Sequence, residues 1–359
     1  MDRLEVFKDK KVLITGDTGF KGSWMATWLH DLGSDVTGIG LDPHTNRDNY
    51  VICGLKSKVN HISADIRDYE TIFKIIEKVK PDIVFHFAAQ ALVSESYSNP
   101  RETFEINTLG TVNILEVIRN TSSVQAAVMI TSDKCYENIE QVHGYRETDR
   151  LGGRDPYSAS KGAAEIVIAS YIRSYFSNPA SAVISSVRAG NVIGGGDWSK
   201  DRIVPDFIRS IEERRPLVLR NPDAVRPWQH VLEPLYGYLL LCSKMMSIGH
   251  QFSGSWNFGP KYNNVITVKN LIRKFIDQCK KGEVIITENS KKFHEAGFLN
   301  LDISKSLYLL DWHPVMDEDL MVDYTLNEYF VNGMSTSDIY DQRSRHISEY
   351  MTLQNEVHR

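Results

Sequence analysis

Near the start of the chain a short apolar run, residues 11–15, passes directly into Gly16-Asp17-Thr18-Gly19-Phe20-Lys21-Gly22, whose glycines are spaced GxxGxxG. Residues 23–32 follow with Trp24, Met25, Trp28, Leu29 and Leu32 apolar at helical spacing. Gly33 stands where such a helix ends. Strand, glycine turn and helix in that order let backbone amides and a helix N-terminus close on a pyrophosphate. The alternative is an ordinary βα turn, and the rest of the chain decides between them.

Apolar runs at 35–40, 59–63, 82–87, 126–130 and 181–187 read as further strands, with helical stretches at 103–119 and 156–176. Regular alternation of this kind predicts an α/β chain with a Rossmann-type, doubly wound parallel sheet. After Arg188 the alternation decays. Residues 1–187 are therefore expected to form the dinucleotide-binding domain. Residues 188–359 are expected to form mainly a smaller mixed α/β substrate lobe, with some strands and helices returning to the first domain. A chain of 359 residues is long enough for both.

Composition excludes several classes. A net charge of −5 gives no basic surface for nucleic acid. No apolar run reaches the ~18 residues of a membrane helix, and the polar residues 1–10 do not read as a secretory signal. Cys53, Cys135, Cys242 and Cys279 are scattered without a CxxC pair, the usage of reduced thiols in a cytoplasmic protein. His294-Glu295 has no second histidine in register, so no metal site is expected. His230 reads as structural.

The strand at 126–130 leads into Thr131-Ser132-Asp133-Lys134-Cys135-Tyr136. Ser132 and Asp133 then fall at a strand's C-terminal end, where open α/β sheets bind ligands. Further on, Tyr157 and Lys161 lie four apart, on one face of the helix that Asp155 caps and Pro156 begins. A cation beside a phenol favours phenolate and lowers its pKa from about 10, which would fit Tyr157 for acid–base work.

Taken together, these strings resemble the extended short-chain dehydrogenase/reductases that modify sugar nucleotides, over nearly the whole chain from Lys11 to about Pro314. Within that family, 4-epimerases usually place small or apolar residues after the serine, whereas 4,6-dehydratases place an acid and then a second ionisable group, most often Glu. Here the pair is Asp133-Lys134. With Arg188-Ala189-Gly190-Asn191-Val192-Ile193-Gly194-Gly195-Gly196-Asp197-Trp198 and Arg226-Pro227-Trp228-Gln229-His230-Val231-Leu232-Glu233-Pro234, it resembles the branch that acts on CDP-D-glucose.

The resemblance implies roles for individual residues. Tyr157 would take the proton of the sugar 4-hydroxyl as hydride passes from C4 to NAD. Lys161 would lower the phenol pKa and hold the nicotinamide ribose, and Ser132 would bond the 4-oxygen. Asp133 would be the acid for the departing 6-hydroxyl and Lys134 the base for C5. Lysine starts protonated at an ordinary pKa of about 10.4, so a salt bridge to Asp133 or to phosphate is the plainer alternative for Lys134. Hydride would return to C6, giving a 4-keto-6-deoxy sugar nucleotide of the kind used in bacterial surface polysaccharide.

On the cofactor side the resemblance implies Gly16, Gly19 and Gly22 at the pyrophosphate, Thr18, Phe20 and Lys21 also at the cofactor, and Asp65 and Ile66 at the adenine. Ala88, Ala89 and Gln90 would border the cofactor, together with Tyr157 and Lys161. Asp65 is alternatively a helix cap. Asp42, 26 positions after Gly16, would accept from the adenosine ribose and favour NAD. Lys21 and Arg47 pull the other way, since either would suit a 2′-phosphate. Asn191, Arg202 and Arg226 are the substrate-side candidates, because an arginine fork matches phosphate. Asn107 is either structural or near the site. A homodimer or homotetramer is expected, through the helices around the fifth strand. An epimerase, a dehydratase for another nucleotide sugar, and a non-catalytic NAD(P)-binding protein remain open. The last predicts damage to Ser132, Tyr157 and Lys161, which are intact.

Overall fold

The computed structural model describes residues 3–261, 266–287 and 297–357. Seven strands build the central sheet: β1 (Lys11–Thr15), β2 (Asp35–Gly40), β3 (Asn60–Ser63), β4 (Ile83–His86), β5 (Ala126–Ile130), β6 (Val183–Ala189) and β7 (Gly254–Phe258). Their order is β7-β6-β5-β4-β1-β2-β3, and every pairing is parallel. This is the doubly wound sheet expected from the alternation. The order reverses between β1 and β4, which opens a crevice at their C-terminal ends.

Along each inner strand, alternate residues enter different cores. Val12, Ile14, Phe85 and Val128 face one side, where helices α1 (Phe20–Asp31), α6 (Leu232–Ile248) and α9 (Thr336–Val357) cover them. Leu13, Val84, Ala127 and Met129 face the other, against α2 (Tyr69–Val79), α3 (Gly110–Arg119) and α4 (Pro156–Tyr175). With both faces buried, the strands read as continuous apolar runs rather than alternating ones. A third core, with Trp198, Phe207, Leu271, Phe275 and Met321, joins α5 (Ile203–Glu212), α7 (Val268–Cys279) and α8 (Glu318–Tyr329) beyond the sheet's C-terminal edge. Strand β7 and helix α9 come from the second half of the sequence but pack with the first. Tyr340 donates to Asp31 Oδ1 at 2.6 Å, and Arg343 donates to Asn49 Oδ1 at 3.2 Å.

Two elements differ from the sequence reading in an instructive way. The helix expected at 103–119 is broken into Pro100–Phe104, a π turn over Glu105–Leu109, and α3. The buried Asn107 side chain explains the wide turn. Its Oδ1 accepts from Gln90 N at 2.9 Å, and its Nδ2 donates to Gln90 O at 3.0 Å and to Ser160 Oγ at 2.9 Å. π turns of this kind gather at functional sites. The sixth strand, expected over 181–187, starts at Val183 and runs on to Ala189, which lengthens its pairing with β7.

Candidate active site

The glycine turn is shaped by close approach. Gly16 has φ +76°, and a Cβ there would stand 2.7 Å from Ala88 N. A Cβ at Gly22 would strike Gly16 O. The turn therefore packs flat against the residues after β4 and leaves the N-terminus of α1 open to an anion. Thr18 closes one side by donating to Leu41 O at 2.8 Å. Asp17 fills the underside. Its carboxylate is fully buried beneath Gly38 and Gly40, with Oδ2 2.8 Å from His61 Nδ1. Burial pushes the Asp17 carboxyl above its ordinary value, against the pull of His61. Nothing near Asp17 in the chain signals this pair, because His61 comes from a strand 44 positions away.

Around the crevice the other cofactor candidates take distinct places. Gln90 is held by Asn107, as above, and its side chain reaches Thr103 Oγ1 at 2.9 Å. Ile66 packs against Gly110 at the start of α3. Asp65 is not a helix cap, since Asp68 performs that role for α2 by accepting from Thr71 N. Asp65 instead pairs with Arg67 at 2.6 Å, whose hydrogen bond holds the carboxyl below the usual range. Asp42 lies exposed just beyond β2. The two cations that pointed to a 2′-phosphate are engaged elsewhere. Arg47 grips Glu212 at 2.6 and 2.9 Å and lies over the Trp198 ring at 3.4 Å.

Lys21 belongs to a second cluster, not to the ribose end. Half-buried at the start of α1, it feels the charges of Arg202, Lys161, Lys134 and Asp133. Desolvation and its cationic neighbours pull its ammonium down to about 7. Lys21, Lys134, Lys161 and Arg202 outnumber the carboxylates Asp133 and Asp197 among them, which favours an anion there.

Ser132 and Asp133 emerge two residues beyond β5 into a single 3₁₀ turn, Asp133–Cys135. Ser132 accepts from Lys134 N at 3.2 Å and donates to Asp133 Oδ1 at 3.0 Å. Lys134 Nζ lies 3.7 Å from the same oxygen, so the salt-bridge alternative for Lys134 is the contact the structure contains. Asp133 is 1 % exposed, and its Oδ2 has no hydrogen-bond partner among the described residues.

Helix α4 begins as read. Asp155 caps it by accepting from Ser158 N at 2.9 Å and Ser158 Oγ at 2.6 Å, with Pro156 in the first turn. That start aims Tyr157 and Lys161 at the crevice, both buried. The expected phenolate is corrected here. Burial pushes the Tyr157 phenol up to about 12, and the groups that draw it down are Ser132 and the Arg202 guanidinium. Lys161 turns its Nζ to Ile130 O at 3.4 Å. Burial brings Lys161 down to about 8, with Glu165 acting against the fall.

Beside Thr131, one residue before Ser132, lies a buried ion pair that sequence reading missed. Glu165 Oε2 and Arg188 Nη2 are 2.6 Å apart, with the side chains 1 % and 2 % exposed. Thr131 and Ser186 donate to Glu165, and Tyr136 and Ser255 share the guanidinium. Burial opposes the Glu165 carboxylate, but Arg188 and these hydrogen bonds outweigh it and hold the pKa below the ordinary value. A spacing of one helical turn from Lys161 to Glu165 was the available clue.

Among the substrate-side candidates, Arg202 stands at the N-cap position of α5 without a side-chain capping bond and donates to Asp197 Oδ2 at 2.9 Å, and its charge acts on Tyr157. Asn191 offers a buried Oδ1 without a partner. Arg226 is committed to backbone, donating to Val225 O at 2.9 Å and Gly297 O at 3.4 Å. His230 contacts Glu328 at 3.2 Å in a buried cluster away from these groups. His294 and Glu295 lie outside the described residues.

Comparison with known proteins places this geometry in context. The chain is 42 % identical to CDP-glucose 4,6-dehydratase of Salmonella typhimurium over 353 residues, covering 96 % of this chain and 97 % of that enzyme. It is 26 % identical to CDP-paratose 2-epimerase of Salmonella typhi, over 85 % of this chain and 94 % of that one. Among solved structures, UDP-glucose 4-epimerase of Thermus thermophilus, in complex with NAD, superposes with a TM-score of 0.76 at 25 % identity, covering 89 % of this chain and 98 % of the other. The dTDP-glucose 4,6-dehydratase of Bacillus anthracis gives 0.74 at 19 %, covering 90 % and 97 %. The family model for GDP-mannose 4,6 dehydratase matches residues 13–325, from the strand before the glycine turn to the middle of α8, and on that match the chain belongs to the GDP-mannose 4,6 dehydratase family.

Proposed function

We propose that the protein converts CDP-D-glucose to CDP-4-dehydro-6-deoxy-D-glucose and water, with NAD held across the glycine turn. The carrying observation is the Ser132-Asp133-Lys134 turn beside Tyr157 in a chain so like the Salmonella enzyme. An acid directly after the serine has no task in a 4-epimerase, which removes no hydroxyl. The cradle at Gly16 and Gly22, shaped by contacts that admit no Cβ, fits a pyrophosphate, and the engagement of Arg47 with Glu212 favours NAD over NADP.

Gly16, Gly19 and Gly22 would hold NAD, which would supply the hydride acceptor for C4 and the hydride donor for C6. The chain's residues handle the protons. Tyr157 removes the 4-hydroxyl proton; burial holds its phenol at about 12 against the pull of Ser132 and Arg202, and the positive charge of a bound nicotinamide would draw it lower. Ser132 bonds the developing 4-keto oxygen. Asp133 protonates the 6-hydroxyl as its C–O bond breaks. Lys134 takes the C5 proton, released from its 3.7 Å contact when Asp133 binds the sugar. Lys21 and Arg202 meet the diphosphate charge, with Asn191 as a polar contact and Arg226 positioning the strand beside it.

In this reading residues 1–187 serve mainly the cofactor and 188–359 mainly the substrate. The product enters deoxysugar synthesis for surface polysaccharide, and the chain works in the cytoplasm, where Cys53, Cys135 and Cys242 stay free, as they are here. A homodimer forms through α3 and α4, whose outer faces and approaches expose Phe104, Leu109, Ile166 and Tyr175.

Purified protein should be offered CDP-, dTDP- and UDP-glucose and GDP-mannose. The expected outcome is a 4-keto-6-deoxy product from CDP-glucose with catalytic NAD. NADH accumulating in step with product overturns the dehydratase reading, and a preference for another nucleotide overturns the CDP assignment.

A further inference from the structure

Among the described residues, Asp133 Oδ2 and the phenol oxygen of Tyr238 are both buried without a hydrogen-bond partner. Tyr238 lies in α6 and is fully buried. Its ring sits between Phe87, 6.3 Å away just after β4, and Phe258, 5.3 Å away at the end of β7. In the sheet, β5 and β6 run between those two strands. The phenol is thereby bracketed beneath the C-terminal ends of β5 and β6, where the Ser132–Asp133 turn leaves the sheet. The two groups also act on one another. Burial and then the Asp133 charge push the Tyr238 phenol far above its ordinary value, so it keeps its proton. A buried carboxylate oxygen and a buried phenol left unpaired each carry a desolvation cost.

We propose that Tyr238 is a positioning residue for Asp133, its O–H donating to Oδ2 during turnover. A phenol that keeps its proton serves Oδ2 as donor, which confines the carboxyl proton to Oδ1. That is the oxygen which Ser132 and Lys134 already approach. In the elimination, the proton passes from Oδ1 to the C6 oxygen as the C6–O bond breaks and water departs. The charge left on the carboxylate is then met at Oδ2 by Tyr238. This role in leaving-group departure rests on the dehydratase reading.

The test is Tyr238→Phe, which keeps the ring's packing. With wild-type turnover of CDP-glucose established first, kcat should fall by roughly tenfold to a hundredfold, the worth of one hydrogen bond to a charged group, with KM nearly unchanged. The steady-state share of enzyme carrying reduced cofactor should rise, because the step after the first hydride transfer is slowed. The loss should not add to that of Asp133→Asn. Independently of any substrate, thermal melts of Tyr238→Phe, Asp133→Asn and the double variant should be non-additive. Additive melts overturn the proposal, as does wild-type kcat in Tyr238→Phe or a reduced kcat with an unchanged share of reduced cofactor. A wild-type enzyme inert toward every sugar nucleotide overturns the dehydratase reading instead, and the melts still decide the Tyr238–Asp133 contact.

Discussion

At the scale of single residues, the site is governed by what burial does to charge. Tyr157 is held at about 12 in a pocket that also contains the cations expected to lower it. Its replacement by Phe keeps the packing and removes the acid–base group. Turnover should fall about 10²–10⁴-fold, while NAD affinity measured by calorimetry stays near wild type, since the glycine turn is untouched. Lys21 makes the complementary case. Its folded pKa, about 7, lies below the ordinary lysine value, so the folded state binds its proton less tightly than the unfolded chain does. The resulting destabilisation is full below about pH 7 and is relieved as pH rises towards the unfolded value of about 10.4. Lys21→Met should therefore raise the melting temperature of the ligand-free protein, and by more at about pH 6 than at about pH 9. An increment that does not shrink with pH would show that the lysine is not strained by its neighbours.

At the scale of elements, helix α4 and strands β5 and β6 form one electrostatic unit. Tyr157, Lys161 and Glu165 lie on successive turns of α4, and Glu165 crosses to Arg188 of β6 and to Thr131 just past β5. The catalytic turn is thus tied from behind by a buried pair. Breaking such a pair leaves an uncompensated charge, at a cost of about 3–5 kcal/mol. Glu165→Gln should show a loss of that size in urea unfolding, and it should also lower the Lys161 pKa further, since Glu165 opposes the fall that burial causes. A stability within about 0.5 kcal/mol of wild type would mean that Arg188 is satisfied by Tyr136 and Ser255 without Glu165. Boundaries in this unit escaped sequence reading for a local reason. The π turn at Glu105–Leu109 exists because Asn107 bonds a loop 17 positions away, and a helical apolar pattern cannot register such a partner.

At the scale of the whole molecule, the C-terminal segment binds the two halves together. Glu328 of α8 accepts from Gly195 N at 2.7 Å, contacts His230 at 3.2 Å and His346 of α9 at 2.9 Å, and receives Arg343 at its carbonyl, 2.7 Å away. Burial disfavours its carboxylate, but His230, His346 and Arg343 more than compensate and hold its pKa well below the usual range. The opposite flank of the molecule carries the apolar side chains of the proposed dimer face. Introducing charge there with Leu109→Asp and Ile166→Glu should convert a sedimenting dimer to monomer with the melting curve of the fold intact. An unchanged sedimentation coefficient would place the interface elsewhere.

The sequence by itself determined the sheet and the outline of its crevice. Six of the seven strands follow from βα alternation, β7 being found only in the structure; the glycine turn follows from the GxxGxxG spacing after β1, and the start of α4 from Asp155 and Pro156. Each depends on residues close together in the chain, and local chemistry is what a sequence displays. Tertiary structure alone decided which groups share a dielectric environment. It brought Lys21 under the charges of Arg202, Lys161, Asp133 and Lys134, tied Arg47 to Glu212, and paired Asp17 with His61. It also set the Tyr238 ring between Phe87 and Phe258, from opposite halves of the chain. Burial and charge depend on distances across the fold, and those distances come into being when helices from both halves of the chain close over one sheet.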